Sequence, residues 1–118
     1  MEQQTILIVD DDREIVRVIS KILELEGYKT LKAYDGLEAM DMLVGNVVHL
    51  IMIDIMMPKM NGLAAVMKIR ETNNIPIIIL SAKTEETDKV LGLSMGADDY
   101  ISKPFNTQEM IARVKAQL

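Results

Sequence analysis

The stretch ILIVDDD, residues 6–12, places three consecutive carboxylates directly after four large apolar residues. An apolar run of this length predicts a strand that is buried on both faces of a parallel sheet. Like charges crowded at the end of such a strand repel one another, and burial penalises each of them further. The sequence therefore predicts that a cation is bound among Asp10, Asp11 and Asp12, or that one of the three only caps the helix that follows.

The alternation of an apolar strand with an amphipathic helix continues along the whole chain. Strands are predicted at residues 6–9, 28–33, 50–53, 77–80 and 99–102. The helices between and after them are predicted to begin at Arg13, Gly36, Leu63, Thr84 and Thr107, the third one after the turn PKMNG and the last one capped by Asn106. Five β–α units in succession predict an α/β, doubly wound fold, with a parallel sheet and helices on both of its faces.

The residue types predict the order of the five strands. The first, third and fourth strands are apolar throughout, which favours central positions, whereas the mixed second and fifth strands fit the edges. This matches the order 2-1-3-4-5, whose reversal point lies between the first and third strands. Ligands of such open sheets bind at the carboxyl ends of the strands beside that point. Asp10 and Asp11 end the first strand and Asp54 ends the third, so these three side chains are predicted to converge.

The predicted cluster has a definite chemistry. Three carboxylates around one crevice suit Mg²⁺, which prefers oxygen ligands in octahedral geometry and keeps several waters. Ser81 ends the fourth strand and Lys103 follows the fifth, so a hydroxyl and an ammonium could reach the same anion. Together these groups predict a cradle for a phosphoryl group in transfer. A carboxylate in that cradle can itself be the nucleophile and form an aspartyl phosphate.

Bulk composition limits the other function classes. The 118 residues, with 49% hydrophobic and 26% charged side chains, predict one globular domain over residues 1–118. No apolar run approaches the ~20 residues of a membrane span, and no signal peptide is recognisable. The chain has no cysteine, which fits a cytoplasmic location. A net charge of −5 argues against DNA binding by this domain itself.

Four motifs carry a family resemblance. ILIVDDD, LIMIDIMMPKMNG, IPIIILSAK and GADDYISKPF resemble, in residues and spacing, the CheY-like receiver domain of bacterial two-component response regulators. The resemblance implies that Asp54 is the phosphoacceptor, that a histidine kinase is the phosphodonor, and that Mg²⁺ is the cofactor. Its ligands would be Asp10, Asp11, Asp54 and the backbone carbonyl of Met56. Asp12 is then interpreted as the start of the first helix rather than as a ligand.

The same resemblance assigns roles at the ends of the last two strands. Ser81 and Lys103 would contact the phosphoryl oxygens, and the Lys103–Pro104 peptide bond would be cis. Tyr100 would turn inward when the Ser81 hydroxyl moves to the phosphate. These assignments describe a switch and not a catalytic enzyme.

The motif GADDYISKPF with the later ARVK is similar to the OmpR/PhoB transcription factors, and within them to the vancomycin-resistance type. The resemblance implies a homodimer on phosphorylation, formed by the fourth helix, fifth strand and fifth helix. Lys89 would pair with Glu109 across that interface, and Asp99 with Arg113. We expect DNA to be bound only by a winged-helix domain outside this chain.

Two other functions share part of this motif set. A phosphohydrolase of the haloacid-dehalogenase type also uses an Asp nucleophile, Mg²⁺ and Lys, but it needs a second Asp two residues after the nucleophile. Met56 occupies that position here, which argues against this class. A stand-alone receiver that acts through protein–protein contacts or in a phosphorelay stays open as the second interpretation.

Overall fold

The structure is a computed structural model that describes residues 3–57, 62–82, 90, 93–94 and 96–118. Its strands are β1 (Thr5–Val9), β2 (Lys29–Ala33), β3 (Leu50–Asp54), β4 (Ile77–Ser81) and β5 (Asp99–Ser102). Its helices are α1 (Arg13–Leu25), α2 (Gly36–Leu43), α3 (Gly62–Arg70) and a C-terminal helix (Thr107–Gln117). The predicted fourth helix falls mainly on residues outside the described ranges.

All five strands form one parallel sheet in the order β2-β1-β3-β4-β5. The predicted order is therefore confirmed. Every residue of β1, β3 and β4 is buried, whereas β2 and β5 carry partly exposed residues. The edge positions of the two mixed strands follow from this difference, since only a central strand is covered on both faces and both edges.

Alternate residues of the strands point to two separate cores. Ile6 and Ile8 of β1 belong to the core under α1 and the C-terminal helix, which also contains Val16, Ile19, Leu23, Met110 and Val114. Leu7 and Val9 belong to the opposite core, under α2 and α3, which also contains Ala39, Ala65, Val66 and Ile69. The period of two along β1 thus fixes which helix covers which face.

Side-chain caps begin three of the helices. Asp12 accepts hydrogen bonds from the backbone amides of Glu14 and Ile15 at 3.0 and 3.3 Å. Asp35 caps α2 and Asn106 caps the C-terminal helix in the same way. The interpretation of Asp12 as a helix start is confirmed. Within the described part of the chain, no helix combines the length and the apolar character that crossing a membrane requires.

Candidate functional site

Three carboxylates meet at the carboxyl end of the sheet, where the strand order reverses between β1 and β3. Asp10 directly follows β1, Asp11 comes next, and Asp54 is the last residue of β3. One oxygen from each lies within 4.8 Å of those from the other two. Asp10 and Asp54 are buried and Asp11 is exposed. The predicted convergence is confirmed, with two inner carboxylates and one at the surface.

The loop after β5 delivers a cation into the same cluster. The Nζ atom of Lys103 lies 2.7 Å from Oδ2 of Asp10 and 3.1 Å from Oδ2 of Asp54. Only 14% of the Lys103 side chain is exposed. The ammonium therefore bridges the two buried carboxylates from the side of the sheet opposite to β2.

Backbone amides hold the other oxygens of the two inner carboxylates. Oδ1 of Asp54 accepts a hydrogen bond from the amide of Met56 at 2.9 Å, and Oδ1 of Asp10 accepts one from the amide of Asp12 at 3.0 Å. Each buried carboxylate is thus fixed at one oxygen by the backbone and at the other by Lys103. This arrangement sets the rotation of both side chains before any ligand arrives.

Burial and charge shift two pKa values in this cluster. Burial raises the pKa of Asp10, and the nearby Asp54 charge adds to that, while hydrogen bonds from Lys103 and the Asp12 amide oppose it. Burial alone would lower the pKa of Lys103, but the hydrogen bond and charge of Asp10 and the charge of Asp54 outweigh it and raise that pKa. Both shifts favour the bound proton. Burial is the main cause for Asp10, whereas the two neighbouring carboxylates are the cause for Lys103.

This donor set fits a hard divalent cation. The three carboxylates offer oxygen ligands only, and they carry uncompensated negative charge at a point that Asp11 leaves open to solvent. Oxygen donors of this type select Mg²⁺ or Ca²⁺ over thiolate- and imidazole-binding metals. Asp10, Asp11 and Asp54 are the residues that would hold such an ion.

Ser81 reaches the same end of the sheet from β4. Its side chain is buried, and its backbone oxygen accepts a hydrogen bond from the amide of Lys103 at 2.7 Å. The Lys103–Pro104 peptide bond is cis, the geometry that the resemblance implied. The predicted hydroxyl therefore lies at the end of β4, and the predicted ammonium comes directly after the neighbouring strand β5.

The family model of the response regulator receiver domain matches residues 6–115 of the chain. The chain belongs to this family. A receiver domain is a phosphorylation switch rather than a catalytic enzyme, and it implies a histidine kinase as partner. The cluster of Asp10, Asp11 and Asp54 is the acidic pocket of this switch.

Individual relatives agree with the family assignment. Transcriptional regulatory protein CpxR of Escherichia coli K12 is 46% identical over 113 residues, which are 96% of this chain and 48% of CpxR. Response regulator GtcR of Aneurinibacillus migulanus is 47% identical over 115 residues, covering 98% of this chain and 48% of GtcR. The receiver domain structure of the Francisella response regulator 1452 is 39% identical with a TM-score of 0.92, covering 98% and 96% of the two chains. The chain spans about half the length of the curated relatives it matches.

The receiver domain has Tyr100 in a buried position. Only 6% of this residue is exposed, and it packs in the core that lies under α2 and α3. The structure thus shows one of the two positions that the predicted inward turn requires. The turn itself stays a prediction.

Three of the four predicted dimer residues form a cluster within the chain. Arg113 donates hydrogen bonds to Oδ1 of Asp99 at 2.7 Å and to Oε2 of Glu109 at 3.4 Å. The hydrogen bond to Asp99 raises the pKa of Arg113 despite partial burial, and Glu109 adds to the effect. Lys89, the fourth predicted residue, lies outside the described residues. Arg113 therefore already contacts two carboxylates of its own chain, while its Nε atom has no hydrogen-bond partner among the described residues.

Sequence reasoning missed the close packing of Gly62. Its motif, PKMNG, predicts only a turn, and residues 58–61 lie outside the described ranges. The amide of Gly62 donates to the carbonyl of Ile55 at 3.3 Å, and a Cβ at this position would lie 2.1 Å from the carbonyl oxygen of Asp54. Only glycine permits this approach of α3 to the end of β3. Gly62 therefore positions the backbone directly behind Asp54.

Proposed function

We propose that this receiver domain accepts a phosphoryl group on Asp54 from the phosphohistidine of a sensor histidine kinase. The observation that carries the proposal is the environment of the Asp54 carboxylate. It is held by the Met56 amide and the Lys103 ammonium, and it adjoins Asp10 and Asp11 at the reversal point of the sheet. A carboxylate oriented in this way is a fixed nucleophile beside a cation that can follow the transferred charge.

The proposed transfer uses groups that the chain supplies. An oxygen of Asp54 forms a bond to phosphorus while the bond from phosphorus to the donor imidazole nitrogen breaks, and that nitrogen keeps the electron pair. Lys103 and Ser81 donate hydrogen bonds to the phosphoryl oxygens. Asp10, Asp11, Asp54 and the carbonyl of Met56 would hold Mg²⁺, which would supply positive charge to the phosphoryl oxygens.

We further propose that phosphorylation controls transcription through an attached DNA-binding domain. This receiver domain, residues 1–118, would supply the switch in the cytoplasm, and DNA would be bound by the other domain. The support is the likeness to CpxR and GtcR, of which the chain matches about half. Phosphorylation would draw Ser81 toward the phosphate, favour the inward position of Tyr100, and promote a homodimer through Lys89, Asp99, Glu109 and Arg113.

Phosphorylation by acetyl phosphate tests the central step. With Mg²⁺ present, intact-mass analysis should show a single added phosphate on the wild-type protein and none on Asp54→Asn. Asp99→Asn, which removes a carboxylate at the start of β5 and outside the pocket, should be modified normally. Asp11→Asn should slow the reaction strongly because it removes a proposed metal ligand. Chelation should slow it strongly as well because it removes the metal.

The same experiment can overturn the proposal. A phosphate that persists in Asp54→Asn would place the acceptor elsewhere. Full modification in the presence of a chelator would show that the reaction does not require the metal.

A further inference from the structure

Arg13 stacks on an aromatic ring beside the acidic pocket. The central carbon of its guanidinium lies 3.9 Å from the centroid of the Tyr34 ring. Arg13 is the first residue of α1, and Tyr34 directly follows β2. The pair therefore connects the loops that leave two adjacent strands at the carboxyl end of the sheet. A guanidinium above an aromatic face is held in place by the negative face of the ring.

The Arg13–Tyr34 pair borders the pocket on the side of β2. The amide of Asp10 donates a hydrogen bond to the carbonyl of Ala33 at 3.2 Å. Tyr34 is the next residue after Ala33, so it lies close to Asp10. The amide of Tyr34 donates to Oε1 of Glu38 at 2.7 Å, which fixes the loop. One residue, Asp12, separates Arg13 from Asp11, so their Cα atoms are at most ~7 Å apart. Lys103 enters the pocket from the other side, after β5.

Lys103 and Arg13 differ in their ion-pair partners. Lys103 is largely buried and bridges Asp10 and Asp54. Arg13 is exposed. In the described part of the chain, no carboxylate oxygen lies within 4.0 Å of its guanidinium nitrogens, the distance that defines an ion pair. Arg17, one turn later on α1, is instead paired with Glu14. The charge of Arg13 therefore remains available to an incoming anion.

Helix stability does not explain this charge. A cation in the first turn of a helix opposes the helix dipole, which favours anions there. Every phosphoryl donor is an anion, and a cation fixed at the entrance attracts it without pairing with the carboxylates inside.

We propose that Arg13 is a donor-binding residue of the receiver domain and that Tyr34 is the positioning residue that holds it at the entrance. The inference rests on the proposed phosphorylation of Asp54 and extends it to the class of donor. Arg13 would favour donors that carry the larger net negative charge. It contributes to the encounter with the donor, whereas Asp54, Ser81 and Lys103 contribute to the transfer.

The test compares two small donors and a matched pair of arginines. Acetyl phosphate is a dianion and phosphoramidate a monoanion at neutral pH. At ~20 mM ionic strength, Arg13→Gln should lower the second-order rate with acetyl phosphate about fourfold and the rate with phosphoramidate about twofold. Arg17→Gln removes the same charge from the same helix and should leave both rates close to wild type. At ~1 M salt the effect of Arg13→Gln should nearly vanish.

Substitutions of Tyr34 test the positioning role. Tyr34→Leu keeps the charge of Arg13 but removes the ring, and it should lower the acetyl phosphate rate in the same direction as Arg13→Gln. Tyr34→Phe keeps the ring and should restore the wild-type rate. Thermal unfolding of each variant accompanies the rates, so that a loss of fold is recognised directly.

The outcomes separate this inference from the proposed function. Equal rates for Arg13→Gln and Arg17→Gln would overturn the donor-binding role while leaving the phosphorylation of Asp54 intact. A loss that is the same for both donors and at both salt concentrations would show a structural role and overturn it as well. Absence of phosphate on Asp54 in the wild-type protein would instead refute the proposed function.

Discussion

Two clusters of this receiver domain contain the same groups, one cation between two carboxylates, in different surroundings. In the pocket, the side chains of Lys103, Asp10 and Asp54 are 14%, 0% and 6% exposed. Near the start of β5, those of Arg113, Asp99 and Glu109 are 38%, 21% and 47% exposed. Burial strengthens every charge interaction in the first cluster, and water weakens each one in the second. The pocket is suited to chemistry, and the exposed cluster is suited to the exchange of partners.

Removing the cation from each cluster should show the largest difference in stability between the two clusters. Lys103→Ala leaves two buried carboxylates without their shared partner, and we expect a loss of about 3 kcal/mol in the free energy of unfolding. Arg113→Ala removes two partly exposed ion pairs and should lower it by less than ~1 kcal/mol. Urea denaturation in a buffer without divalent cations measures both.

A comparable loss in both variants would contradict this contrast. Addition of Mg²⁺ to Lys103→Ala provides a control, because a dication bound by the same carboxylates should recover part of the lost stability. No such recovery is expected for Arg113→Ala.

The burial of Asp10, to which the charge of Asp54 adds, gives a smaller effect that depends on pH. Because the pKa of Asp10 is raised above its ordinary value of 3.8 in the folded state, the stability that its protonation provides is present below 3.8 and lost as pH rises through the folded pKa. Asp10→Asn lacks this titration. It should be more stable than wild type by about 1 kcal/mol at neutral pH, and the difference should shrink on acidification.

Urea denaturation between pH 4 and pH 7 measures this difference without divalent cations. Glu14→Gln, an exposed substitution near the start of α1, serves as the control for a carboxylate whose hydrogen bond to Arg17 lowers its pKa. A wild-type advantage over Asp10→Asn that grows with pH would reverse the assigned sign.

The fold could be predicted because its signals are local and repeated. Each apolar run without polar residues became a central strand, and the mixed runs 28–33 and 99–102 became the edges. The caps Asp12, Asp35 and Asn106 mark helix starts by residue type alone. The end of a strand also fixes where a following side chain lies, which is why the carboxylates of the pocket could be placed together from the sequence.

The remaining features depend on distances that no local pattern encodes. The approach of Gly62 to Asp54 requires the exact angle at which α3 leaves β3. The stacking of Arg13 on Tyr34 joins two loops that are distant in sequence. Arg113 was predicted to pair across subunits, and sequence alone could not show that its partners within the subunit are also in reach.

β5 links the two clusters physically. Asp99 begins this strand within the exposed cluster, Tyr100 follows it in the core, and Lys103 leaves its other end for the pocket. Four strand residues span about 13 Å. A phosphoryl group that moves Lys103 would therefore act on the same short element that carries Asp99. This continuity supports coupling of phosphorylation to the exposed cluster, where the energies are smallest.

The exposed cluster gives the smallest predicted effect and needs a design that separates contacts within a subunit from contacts across the dimer. Combining Arg113→Glu with Asp99→Arg in one chain restores both kinds of pair at once, so it cannot distinguish them. Two single variants mixed together can. Arg113→Glu brings like charges together within its own subunit, and so does Asp99→Arg, but each supplies the opposite charge to the other across a two-fold interface.

We expect each single variant, activated with beryllofluoride, to form homodimers more weakly than wild type, and the mixture to form heterodimers preferentially. Each exposed pair contributes only ~0.2–1 kcal/mol, so two restored pairs predict a preference of roughly twofold to thirtyfold. Native mass spectrometry with one variant isotope-labelled counts the three dimers directly. A statistical 1:2:1 distribution would show that Asp99 and Arg113 pair only within the subunit. In that case, dimerisation would have to use other residues, while the chemistry of the pocket would be unaffected.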